Sequence, residues 1–239
     1  MAITLLELVQ TTVEELATDI ASPAAVTSST DRSVKQLFRL ANRVGSDLVR
    51  EFEWRRLVTE YTFATVNGTA DYDLPSDFDR MVSDTHYDRS NFWMNSGPKS
   101  SQAWQWLNAG ITTLGPQFRW RMYQNKVRFY TTPTAAYTMA YEYVSRNWVI
   151  ADGDTTPSKS LFSEDDDTCI YPDDVMLLGL RYRWLSAKGL DFEPALVEFR
   201  NAVATAKSQD TPAGRESLAP TLRPIFITQD SVAEANWSL

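Results

Sequence analysis

Apolar residues recur at helical spacing from the start of the chain. Leu5, Leu8, Val9, Val13, Leu16 and Ile20 share one face, and Pro23 with the Ser/Thr run to Thr30 ends the element. Thr30 or Asp31 can cap a second helix, whose stripe of Val34, Leu37, Phe38, Ala41, Val44, Leu48 and Phe52 runs to about Trp54. At Leu57 the period changes to two. Leu57, Thr59, Tyr61, Phe63 and Thr65 alternate with a more polar set, and Asn67-Gly68 signals a turn. The β-rich stretch runs to about Val149, with Tyr137, Met139, Tyr141 and Tyr143 on one face of a late strand. Pro75, Pro98, Pro116 and Pro133 punctuate it, and residues 101–107 read as a short helix within it.

After a polar linker, helical signals return with Pro172 at a first-turn position, Asp173 and Asp174 behind it, and the stripe Val175, Leu178, Tyr182 and Leu185. Gly189 stands as the C-terminal cap, and Asp191 can cap a further helix carrying Leu196, Phe199, Val203 and Ala206. The pattern predicts an α+β fold. An antiparallel bundle of about four helices comes from residues 1–56 and 164–209, with a β-rich insertion at 57–150 and a linker at 151–163. Residues 210–239 form an extended C-terminal arm. Pro212, Gly214, Pro220 and Pro224 precede its apolar cluster Ile225, Phe226 and Ile227, with Trp237 and Leu239 at the end; it is too short to bury these alone.

Composition narrows the function. The 239 residues are 43% hydrophobic, enough for a real core. With 31 acids against 23 bases the formal charge is -8, so the chain as a whole repels a phosphate backbone and general nucleic-acid binding is not expected. Cys169 is the single cysteine, which excludes an intrachain disulfide and a multi-cysteine zinc site. The first residues lack a basic n-region and meet Glu7 early, so no signal peptide is expected; nor is a membrane helix, since no apolar run nears the roughly 20 residues one needs. Eight Trp, ten Tyr and eleven Phe favour interfaces as well as cores.

Catalytic chemistry is sparse. His86 is the one histidine, and no nucleophile motif, glycine-rich phosphate loop or His-Glu-x-x-His is present, so no catalytic, cofactor or metal residue is assigned. The carboxylate cluster Glu164, Asp165, Asp166 and Asp167, followed by Asp173 and Asp174, offers oxygen ligands to a hard cation but lacks EF-hand spacing. It reads more simply as a solvated linker whose last acids complement a helix N-terminus. The segment 118–130 carries Arg119, Arg121, Lys126 and Arg128 without an acid. A two-residue turn at Gln124-Asn125 would set Trp120 opposite Phe129 and Arg121 opposite Arg128. Like charges across a ladder destabilise by up to about 1 kcal/mol, so this face is either hydrated, as a two-sided hairpin, or supplied with an anion such as a carboxylate from another element or subunit. The expectation is that Arg119, Arg121 and Arg128 meet an acidic surface such as Asp165, Asp166 and Asp167 of the same or a neighbouring chain. Base stacking on the interleaved aromatics is the competing use.

Several stretches together resemble one family. They are Ile3-Thr-Leu-Leu-Glu-Leu-Val9, Leu40-Ala-Asn-Arg-Val-Gly45, Glu53-Trp54, Leu74-Pro-Ser-Asp-Phe-Asp-Arg80 and Trp104-Gln-Trp106, followed by Tyr141-Glu-Tyr-Val-Ser-Arg-Asn-Trp148 and Leu178-Gly-Leu-Arg-Tyr-Arg-Trp-Leu-Ser-Ala-Lys-Gly-Leu-Asp191. In order and spacing these resemble the head-to-tail adaptors of tailed bacteriophages, of the tail tubular protein A type found in short-tailed phages. The resemblance implies a structural virion protein of the neck or tail, made in the host cytoplasm. It would form a ring, a dodecamer, that binds the portal protein and joins it to a tail protein, nozzle or tail tube. Double-stranded DNA would pass through the channel without specific binding. It also implies an arm that docks on the portal; residues 210–235 carry no part of the resemblance, and the apolar Ile225, Phe226, Ile227, Trp237 and Leu239 are the expected contacts from the sequence itself. The alternatives are another neck component, such as a stopper or head completion protein, and a metal-dependent nuclease or hydrolase using the 164–174 acids.

Overall fold

The computed structural model describes residues 3–16, 20–110 and 117–210. Thr4 opens helix α1 (Leu5–Glu15): its hydroxyl accepts from the Glu7 N–H at 3.2 Å while the Glu7 carboxylate accepts from the Thr4 N–H at 3.1 Å. The helix stops short of Ile20, which still packs on the core. Apolar spacing reports which face is buried, not where backbone bonding ends. The Asp31 carboxylate caps α2 (Arg32–Glu51) by accepting from the Ser33 N–H at 2.7 Å, and Val34, Leu37, Ala41, Val44 and Leu48 face inward. At Phe52 the chain straightens, two residues before Trp54, where the expected stripe ends. The Trp54 indole N–H then donates to the Leu48 carbonyl at 2.9 Å.

Strands β1 (Val58–Ala64), β2 (Asp71–Asp73), β3 (Phe78–Met81), β4 (Tyr87–Asp88) and β5 (Trp93–Met94) precede helix α3 (Ser101–Ala109). Strands β6 (Trp120–Tyr123), β7 (Lys126–Phe129) and β8 (Thr138–Ser145) follow it. Two antiparallel sheets result, one ordered β1-β8-β4-β5 with β3 also on β8, the other β2-β7-β6. Gly68, at φ 82°, makes the turn that Asn67-Gly68 signalled. The strand after it joins β7 in the second sheet and does not fold back on β1. A turn residue sets local direction; the pairing partner is chosen by burial of Tyr72 beside Phe129 and Phe63.

Period two makes β8 a shared wall. Met139, Tyr141 and Tyr143 enter an aromatic cluster with Trp120, Val127 and Phe129, while Val144 enters the aliphatic cluster of the helices. Short strands β9 (Val149–Ile150) and β10 (Thr168–Cys169) pair antiparallel. The stretch between them, expected to be a polar linker, buries Phe162 edge-on against Trp148 at 4.9 Å. Close approach decides Gly45: a Cβ there would lie 2.2 Å from the Trp148 ring.

Helix α4 (Asp173–Lys188) has Pro172 as its N-cap, one residue outside the expected first turn, and ends at Gly189 in the left-handed region at φ 71°. The Asp173 carboxylate accepts from the Ile3 N–H at 3.1 Å, tying the start of the described chain to the start of α4. Helix α5 (Glu193–Asp210) packs on α4, and the Asp191 carboxylate accepts from the Glu193 N–H at 3.3 Å. Of its expected core positions only Val203 and Ala206 are buried, with Ala195; Leu196 and Phe199 stay half-buried along a groove. The fold is mixed α+β, with five helices and antiparallel sheets among the described residues. No described helix is long and apolar enough to cross a membrane.

Candidate interaction surface

Gln124 and Asn125 take φ 49° and 59°, the positive values of a two-residue hairpin turn. Their turn sets Trp120 opposite Phe129, Met122 opposite Val127 and Arg121 opposite Arg128, as the alternation predicted. The expected like-charge opposition is therefore real, and β2 relieves it. Asp71 lies in register with Arg128 and takes a two-pronged contact from its Nε and Nη2 at 2.5 and 2.6 Å. That hydrogen bond holds the Asp71 carboxyl below the usual range against the opposing effect of burial. Next along the strand, Asp73 meets Lys126 at 2.8 Å. Arg121 lies over the rings of Trp104 and Tyr123 at 4.4 and 4.5 Å, and Arg128 over Tyr123 at 4.4 Å.

The carboxylates for Lys126 and Arg128 thus come from β2, not from the acidic cluster proposed within the chain. Nor is that cluster a solvated linker. The Asp165 carboxylate accepts from the N–H groups of Val26 at 3.1 Å and Thr27 at 2.8 Å. The carbonyls of Asp167 and Asp165 accept from Leu5 and Leu6 N–H in the first turn of α1, at 2.9 and 3.0 Å. Asp167 is fully buried and accepts from Lys159 Nζ and the Ser163 N–H, both at 2.8 Å, and from the Glu164 N–H at 2.9 Å. Burial pushes its carboxyl up, but the lysine and the two N–H groups together leave it below the ordinary value. The loop staples α1 in place. Asp166 alone of the three aspartates is exposed, and its side chain makes no hydrogen bond or ion pair among the described residues.

From Arg89 to Tyr141 the chain has six cations and no carboxylate. Arg89 pairs with Glu60 at 2.7 Å, while Lys126, Arg128 and Arg121 are held as above. Lys99 and Arg119 have no ion pair among the described residues. An isolated bridge between Ser96 and Arg119, and the Lys99 N–H donating to the Trp120 carbonyl at 2.9 Å, bring these two cations to one place. There they line a cleft of about 450 Å³ with Ser96, Trp106 and Gln117. Ser100 fixes the start of α3 by accepting from the Ala103 N–H at 3.2 Å, which leaves Trp104 buried and Trp106 69% exposed. Two free cations beside an indole and an amide suit a carboxylate-bearing segment of another protein. Sequence reasoning named Arg119 but missed Lys99 and Trp106. The signal was the spacing of Trp104 and Trp106, since residues two apart on a helix cannot both face one core.

His86 is buried between Trp120 and Tyr141, its ring stacked at 4.9 and 5.5 Å from theirs, with Nδ1 2.8 Å from Asn95 Nδ2. Burial depresses its pKa to about 4, so the ring is neutral at pH 7. Burial also pushes the Cys169 thiol up to about 12. Among the described residues no three His, Cys, Asp or Glu side chains group to hold a metal ion. Ile225, Phe226, Ile227, Trp237 and Leu239 lie outside the described residues. A protein-family model described as SU10 adaptor protein matches residues 3–222. The chain matches no curated protein.

Proposed function

The chain belongs to the SU10 adaptor protein family, structural adaptors of bacteriophages, and on that premise we propose that it is the head-to-tail adaptor of a virion neck. In this reading it forms a ring, a dodecamer of the tail tubular protein A type, that binds the portal on one side and a tail protein on the other. The helices from 1–56 and 164–209 form the body, 57–150 an inserted domain, 151–163 the linker and 210–239 the portal-docking arm. DNA passes through the ring without specific binding, the chain performs no catalysis, and it is made in the host cytoplasm.

The observation that carries this reading is the contrast between satisfied and free charge. Asp71, Asp73, Asp165 and Asp167 are engaged within the chain, whereas Lys99, Arg119 and Asp166 stand free. Residues 57–150 hold eight acids and eight bases, so the remainder of the chain carries the whole charge of -8. Lys99 and Arg119 of one subunit meeting Asp166 of the next is the form of the arginine-to-acid contact that this leaves available. An acidic remainder around a channel also keeps DNA from adhering.

Electron microscopy of the purified protein with its cognate portal tests the function: a ring capping the portal is expected, and a portal left bare overturns the reading. Arg119→Glu is expected to weaken ring assembly at least tenfold and the added Asp166→Lys to restore it. Unchanged assembly of the single variant removes these residues from the interface.

A further inference from the structure

Phe92 combines two features that do nothing for the fold of a single chain. Its side chain is 89% exposed, and its backbone sits at φ 59°, a region that a bulky L residue rarely enters and that the neighbouring Asn91 would tolerate better. The β4–β5 tip that presents it is firmly braced. The buried Asp88 carboxylate accepts from the N–H groups of Ser90 and Asn91 at 2.9 and 3.2 Å and from Asn91 Nδ2 at 2.7 Å. The Arg89 N–H donates to the Thr138 carbonyl, and the Thr138 N–H donates to Ser90 Oγ, both at 2.8 Å. A strained, exposed ring on a braced tip is a knob held out for a socket.

The same chain carries a matching socket. Because α5 docks on α4 through small residues, a groove of about 390 Å³ stays open between α2, α4 and α5, with Leu48, Tyr182, Leu196, Phe199 and Val203 along it. Of its rim charges, Arg183 pairs with Asp47 at 2.5 Å and Lys207 with Glu51 at 2.7 Å, while Arg200 has no ion pair among the described residues and can lie against the face of an entering ring. Phe92, at 89% exposure, does not fill the groove of its own chain. The unpaired charges divide between the same two parts of the chain: Lys99 and Arg119 lie with Phe92 within residues 57–150, and Asp166 lies with the helices on the loop that staples α1.

We propose that Phe92 of one copy inserts into the α2–α4–α5 groove of a second copy. The contact is heterologous, with different patches on the two partners, the kind of contact that generates a ring when its rotation closes. It deepens the adaptor reading and rests on it for the meeting of copies.

The test uses the full chain assembled on its cognate portal. In a Trp93→Cys, Ala204→Cys variant, which keeps the Phe92 ring, oxidation is expected to give a ladder of cross-linked multimers that neither single variant gives, with Cys169 silent because it is buried. Rings that assemble without the ladder overturn the proposal and leave the adaptor function standing. In parallel, Phe92→Ser and Ala204→Trp, which fills the groove, are each expected to weaken self-association at least tenfold in sedimentation velocity with the melting temperature unchanged or raised. Loss with the first but not the second places the knob in another socket and overturns the second-copy contact. A wild-type chain that stays monomeric both on the portal and in concentrated solution overturns both readings.

Discussion

Around α1, α2 and α4 the core is built from Leu and Val side chains, with Trp54, Trp148 and Tyr171 wedged among them. Between the hairpin β6–β7 and strand β8 it is built almost wholly from rings. His86 stacks on Trp120 and Tyr141, and Phe63, Tyr72, Phe118 and Phe129 meet edge-on or tilted around them. The two differ in how many polar atoms they leave unbonded. Beside the helices the buried Asp167 is bonded on both oxygens, and Trp148 Nε1 is buried without a hydrogen bond among the described residues. In the ring cluster His86 Nε2, Asn95 Oδ1, Trp120 Nε1 and Tyr141 Oη are buried without a hydrogen bond among the described residues. In both cores the unbonded atoms sit mainly on aromatic side chains, whose contact area offsets the cost of leaving one polar atom unpaired; the ring cluster, with more such side chains, holds more of them.

The sharpest way to break this contrast is Trp148→Ala. It empties the space against Gly45, Phe162 and Tyr171, and should lower stability by about 4 kcal/mol in a urea titration. A loss under 1 kcal/mol would mean that the helical core is not volume-limited. Next comes acid. The folded His86 pKa is depressed to about 4 from 6.5, so the unfolded state binds the extra proton between those values. The stability that this ring contributes is therefore complete above pH 6.5 and falls as pH drops towards 4. Wild type should lose about 3 kcal/mol more than His86→Phe across that window, and parallel pH profiles would show the ring to be solvated. The smallest effect is expected from Tyr141→Phe, which removes an orphaned hydroxyl but keeps the ring. The melting temperature should hold or rise, within about 1 kcal/mol, and a clear fall would reveal a partner for Oη.

Local rules were legible where one chain segment determines the outcome. The Gln124-Asn125 turn, the Arg121–Arg128 opposition and the Gly189 cap all follow from neighbours in sequence. Long-range satisfaction was not legible. Nothing local says that Asp71 and Asp73 will run beside Arg128 and Lys126, because that needs β2 to leave β1 for the other sheet. Glu164 to Asp167 looked like solvated charge because acids in a row usually are. Their role depends on α1 and on Lys159, and only the closed fold brings those against them. Lys99 escaped for the converse reason: a free group gives no pattern, and its freedom appears only once every neighbour has been assigned, whereas Trp106 did leave a signal in its spacing from Trp104 on α3.

The stapling of α1 also sets a timetable for synthesis. Strands β1 to β8 find all their partners between Val58 and Ser145, so that part of the chain can pair as soon as it leaves the ribosome. The first turn of α1 waits for the carbonyls of Asp165 and Asp167, about 160 residues later. At ordinary translation speeds of about 5–20 residues per second that is a delay of roughly ten to thirty seconds. During it, the apolar face of the N-terminal helix has no completed core to enter. The helical half therefore closes last, and nascent chains are at greatest risk of sticking to one another just before α4 emerges.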